Sequence, residues 1–129
     1  MNIRHGLVVF AAALAFTGNA GSTLAQTASG SNAPAYRMAY QSAMKCFVAN
    51  GIIAGDQRRE GDAVKAALYE QKAKEAFELA FRAGRKVGLS DARIRTDIDQ
   101  AQTRELPLMM RDDAYFKRAA GECRALGLM

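Results

Sequence analysis

Apolar and polar positions along this chain follow two different patterns. Leu7 to Phe16, LVVFAAALAF, is apolar throughout, whereas from Pro34 onward apolar residues recur at spacings of three and four. The first run has no polar face, and ten residues at about 1.5 Å each are too few to cross a bilayer. Basic Arg4 and His5 precede it, and small residues follow it as far as Thr23, Leu24 and Ala25. These are the parts of a secretory signal peptide. Residues 1–25 are therefore expected to be removed on export, 26–33 (QTASGSNA) to form a disordered leader, and 34–129 to form one helical domain. No later stretch is long and apolar enough for a membrane span.

The second pattern predicts an all-α fold, a small antiparallel bundle of three to four helices, because alternating strand-like runs are missing. A first helix over about 34–50 places Tyr36, Tyr40, Ala43, Met44 and Phe47 on one face, with Gly51 and Ile52 as its stop. A second helix over about 58–87, with Asp62 as a good N-cap, ends at Gly88 and Leu89. A third over about 91–106 starts behind Ser90 and carries Ile94, Ile98 and Ala101. A fourth over about 108–126 buries Tyr115, Phe116, Ala119, Ala120, Cys123 and Leu126, and stops at Gly127 and Leu128. Pro107 is expected to kink the last two into a single arm.

The second predicted helix has an unusual face. Ala66, Tyr69, Ala73, Ala76, Ala80, Ala83 and Val87 form a nearly continuous seam of small residues. Such a seam suits close packing inside the bundle, and also offers a surface for self-association. The solvent side carries acid-then-base pairs four apart: Glu70 with Lys74, Glu78 with Arg82, Asp91 with Arg95, and Asp113 with Lys117.

Cysteine count and export together constrain the chemistry. Cys46 and Cys123 are the only cysteines, 77 positions apart, which fits a structural disulfide in an oxidising compartment and not a redox or haem-attachment motif. If the bond forms near the ends of the first and fourth helices, those ends must share a pole. That favours three layers, with the last two helices acting as one.

Several function classes drop out. The single histidine, His5, leaves with the signal, so imidazole triads, the usual zinc sites and histidine-ligated haem are not expected. No glycine-rich phosphate loop occurs. Asp97 and Asp99 point to different sides of a helix, and Asp112 and Asp113 suit a helix start. The Leu-Pro-Leu-Met-Met run ending at Met110 reads as core filler around a kink, and the methionines are not read as a copper site. No cofactor and no metal are expected.

Removing Arg4 lowers the net charge from +5 to +4, a mildly basic surface. With export, this argues against a nucleic-acid partner and allows weak contact with anionic envelope surfaces. Arg82, Arg85 and Lys86 at the end of the second helix approach Arg93 and Arg95 at the start of the third. They form a candidate anion-binding cluster, although the first three also complement a helix C-terminus. The expectation is a small exported protein of the periplasm or outside the cell, with a binding, chaperone-like or structural role. The alternatives are an anion-binding module and an enzyme using carboxylates or arginines alone.

Overall fold

The computed structural model describes the backbone of residues 17–129 and the side chains of residues 32–129. Among them are four helices: α1 (Thr17–Arg59), α2 (Ala63–Lys86), α3 (Asp91–Arg111) and α4 (Asp113–Ala125). The chain divides into Met1–Asn32 and Ala33–Met129, and the second unit holds the bundle. The expected signal peptide falls largely outside the described residues. The 26–33 leader, expected to lack structure, lies within the bounds of α1.

Local signals explain most helix ends. Asp62, Ser90 and Asp112 cap α2, α3 and α4, their side chains accepting hydrogen bonds from the backbone N–H groups of Lys65, Arg93 and Tyr115. Each bond satisfies a donor that an open helix end would leave unpaired. Gly88 has φ of 84°, and the N–H groups of Gly88 and Leu89 donate to the carbonyls of Arg85 and Gly84. This is a Schellman stop, which glycine supplies without a Cβ penalty. Gly127 stops α4 in the same way, with the Leu128 N–H donating to Cys123.

The expected stop at Gly51 does not form. Helix α1 continues to Arg59, and the left-handed glycine is Gly61, with the Asp62 N–H bonded to the Gln57 carbonyl. The reason is burial. Ala43, Cys46, Asn50 and Ala54 continue one buried stripe through Gly51, and only after it do polar residues take over. The sequence Gly61-Asp62 then supplies a stop and the next N-cap together, so α2 starts at Ala63 and not near 58.

The join of the third and fourth helices also differs from expectation. Helix α3 passes through Pro107 to Arg111, and the break comes at Asp112, whose φ of −119° and ψ of 98° are extended. The Tyr115 hydroxyl donates to Glu105 ten positions earlier. In one continuous helix these residues would lie about 15 Å apart. The chain therefore reverses at Asp112, and α3 and α4 are separate helices and not one kinked arm.

Side-chain pairs fix the topology. Helices α1 and α2 are antiparallel: Phe47 meets Phe77 at 5.7 Å between ring centres, and Arg58 pairs with Glu70. Helix α3 returns beside α1, with the Tyr40 hydroxyl donating to Asp97 at 3.0 Å. Helix α4 turns back to meet α1 at Cys46, Lys45 and Asn50. Three reversals are compatible with the disulfide because Cys46 sits in the middle of a long α1 and not at its end.

The core has two apolar clusters. One gathers Tyr40, Ala43, Met44, Ala80, Phe81, Ala83, Ile94, Ile98 and Ala101. The other gathers Cys46, Val48, Ala49, Ala76, Met109, Ala119, Cys123 and Leu128. Ala66, Ala73, Ala76, Ala80 and Ala83 of the seam are all buried within this one chain. The seam thus serves close packing inside the bundle. In α4, Leu126 is exposed and Leu128 takes the core position, folded back by the Gly127 stop. Met109 is buried, whereas its neighbour Met110 is exposed and not core filler.

Candidate functional site

Cys46 and Cys123 form a disulfide joining α1 to α4, with Cα atoms 5.5 Å apart. Both residues are sealed from solvent, which suits a staple and not a reactive pair. Beside the bond lies Asn50, fully buried. Its Nδ2 donates to the Cys46 carbonyl at 2.8 Å and to the Leu128 carbonyl at 2.7 Å, while its Oδ1 has no partner among the described residues. Lys72 of α2 donates to the neighbouring Gly127 carbonyl at 3.2 Å. Two consecutive carbonyls after α4 are thus gripped from two other helices.

Of the acids considered for catalysis, Asp97, Asp112 and Asp113 have structural partners, as does the buried Glu105, while the exposed Asp99 carboxylate has none among the described residues. Asp97 accepts from Arg93 Nε at 2.8 Å and from the Tyr40 hydroxyl at 3.0 Å. Burial, then the hydrogen bond to this carboxylate, pushes the Tyr40 hydroxyl up to about 12. Glu105 is buried on α3 between the Tyr115 hydroxyl and Arg104 Nε, the latter at 3.1 Å. Its hydrogen bond, followed by burial, pushes Tyr115 up to about 12. Asp112 caps α4, and Asp113 pairs with Lys117 at 2.7 Å. Among the described residues no group of three or more acids, cysteines or histidines could hold a metal.

The predicted basic cluster separates. Arg93 turns to Asp97, which also accepts from Tyr40. Arg82, Arg85 and Arg95 come together with Phe77, Glu78, Phe81 and Asp91 around a cleft of about 380 Å³, and Lys86 is not in its lining. Arg85 binds Asp91 through two parallel bonds, Nε to Oδ1 at 2.8 Å and Nη2 to Oδ2 at 2.9 Å. That pairing holds the Asp91 carboxyl below its usual range. The guanidinium groups of Arg85 and Arg95 lie 5.5 and 5.9 Å from the centre of the Phe81 ring. Phe77 packs against Phe81 at 5.0 Å.

The expected pair of Glu78 with Arg82 does not form among the described residues, and two others are re-sorted: Asp91 takes Arg85 instead of Arg95, and Glu70 takes Arg58 of α1. Both bind across a helix junction, which spacing along one helix cannot foresee. Comparison of the chain with protein families, with characterised proteins and with solved structures gave no match.

Proposed function

We propose that this chain is an exported helical protein of the cell envelope that works by binding and not by catalysis. The observation carrying the reading is the buried Cys46–Cys123 disulfide, which calls for an oxidising compartment and agrees with the signal-like residues 1–25. Among the described residues no helix is long and apolar enough to cross a membrane. A mature chain starting near Gln26 would have no imidazole, and Asp97, Glu105, Asp112 and Asp113 are engaged in pairs or caps. The chemistry left to such a surface is recognition.

N-terminal sequencing and intact mass of the protein recovered from the envelope test export. The expected result is a start near Gln26 and a mass two hydrogens below the reduced form, restored by reductant. An intact Met1 with free thiols on a cytosolic species would overturn it. Purified envelope components retained by the immobilised protein, with hydrolase screens silent, are the expected outcome for binding. Turnover that survives repurification would overturn that half.

A further inference from the structure

The cleft between the end of α2 and the start of α3 has two surfaces of opposite character. Phe77, half-buried, and Phe81, nearly buried, give it an apolar floor. Three guanidinium groups rim that floor, from Arg82, Arg85 and Arg95, against the carboxylates of Glu78 and Asp91. The rim therefore has an excess of one positive charge. Arg85 is committed to Asp91 by its two bonds and forms a fixed wall. Arg82 and Arg95 make no ion pair among the described residues, and Arg95 extends over the Phe81 ring. A guanidinium lying over an aromatic face is partly desolvated, which strengthens its attraction for an anion.

We propose that this cleft binds a single negative charge carried on an apolar body, with the body on Phe77 and Phe81 and the charge between Arg82 and Arg95. A carboxylate on a hydrocarbon or aromatic group has this chemistry, and so does the phosphodiester of an anionic lipid. A small dianion fits less well, because only one unit of charge is uncompensated and an apolar floor gives it nothing. The inference rests on the binding reading above and names the class of ligand for it.

Titration calorimetry of the oxidised mature protein with 2-naphthoate and decanoate tests it, with acetate and inorganic phosphate as comparisons. Both amphipathic anions should bind at least about tenfold more tightly than either comparison. Arg82→Gln and Arg95→Gln should each weaken binding about tenfold, the equivalent of one charge-assisted hydrogen bond. Arg118→Gln, on α4 beside Tyr115, should leave binding unchanged. All three positions are exposed, so the variants should keep the helical circular dichroism and the disulfide.

Co-sedimentation with phosphatidylglycerol vesicles, against phosphatidylcholine, distinguishes the two sources. Loss of vesicle binding in Arg82→Gln and Arg95→Gln would assign the ligand to lipid, and loss of naphthoate binding alone would assign it to a free acid. Binding that ignores both arginines, or phosphate bound as tightly as naphthoate, would overturn the proposal. If both variants keep naphthoate binding and still retain envelope components, the cleft is wrong while the binding reading stands.

Discussion

Around Ile94 the bundle is held by bulk: Tyr40, Met44, Phe81, Ile94 and Ile98 fill the space between α1, α2 and α3. Around Cys46 the buried residues are mostly small, with Ala49, Ala76, Ala119 and two cysteines, and here the chain adds a disulfide and the Asn50 bonds. The difference follows from apolar area. Each large side chain contributes about 1.5–3 kcal/mol when fully buried, and an alanine far less. Where α4 meets α1 through small residues, a covalent bond and a polar clamp replace the missing hydrophobic stabilisation.

The strongest way to break this contrast is to remove the staple. Cys46→Ala with Cys123→Ala should cost about 2–4 kcal/mol, below a chain-entropy ceiling of about 4.5 kcal/mol for so long a loop. Denaturant unfolding gives the total, and amide hydrogen exchange should show α4 losing protection before the Ile94 cluster does. Equal loss at both places would mean the bundle has one undivided core. Asn50→Ala comes next, at about 2 kcal/mol, because it leaves the Leu128 carbonyl unpaired and opens a cavity beside the disulfide. Little change in the unfolding midpoint would show that the last residues are held without it.

The bulky cluster can be tested by overfilling. A Cβ on Gly84 would lie 2.7 and 2.8 Å from Ile94 side-chain atoms and 3.1 Å from Tyr40. Ile94 is fully buried and has nowhere to move. Gly84→Ala should therefore lose about 1 kcal/mol net, overpacking of about 1–3 kcal/mol outweighing the helix-propensity gain of about 1 kcal/mol. Gly51→Ala is the counterpart in α1, since nothing lies within 4 Å of its Cβ position. It should gain about 0.5–1 kcal/mol in thermal unfolding, and a loss would mean that α1 does not continue through Gly51.

A last test reads the fold at alkaline pH. Tyr40 and Tyr115 are both raised to about 12 in the fold, above the ordinary value of about 10. The stability they contribute is complete below about 10 and is lost as pH rises from there through about 12. Tyr40→Phe should remove its share of that alkaline loss, read from the midpoint of urea unfolding against pH. An unchanged pH profile would count against the Asp97 bond.

Much of this fold was legible in residue spacing. The caps at Asp62, Ser90 and Asp112 and the stops at Gly88 and Gly127 are local devices, so a local reading finds them. Gly51 misled because an Asn-Gly-Ile stretch looks like a stop whether or not its helix has somewhere to go. The signal against it was Asn50 itself, at the position where Ala43, Cys46 and Ala54 require burial. Glu105 is similar, since it follows Ile94, Ile98 and Ala101 in the same register and leads on to Met109. The cleft was half legible. Its arginines form a cluster in the sequence, and Arg93 leaves the others for Asp97 four positions along α3, a pairing that spacing does offer. Asp97 is also met by Tyr40 from α1. No spacing within one helix encodes that meeting.

The distance along the chain between α1 and α4 has a consequence for how quickly the bundle assembles. Helices α1 and α2, and α2 and α3, meet in sequential hairpins, and α3 also returns to α1 through Tyr40 and Asp97, 57 positions apart. Helix α4 docks on α1 through Lys45–Glu122, Cys46–Cys123 and Asn50–Leu128, pairs 77 or 78 positions apart. Contacts so remote carry a large closure entropy and slow the search. An oxidised chain begins refolding with that loop already closed, whereas a reduced chain must find it. Stopped-flow refolding should therefore be single-phase and faster with the bond intact, and should show a delayed docking step for α4 once the bond is reduced.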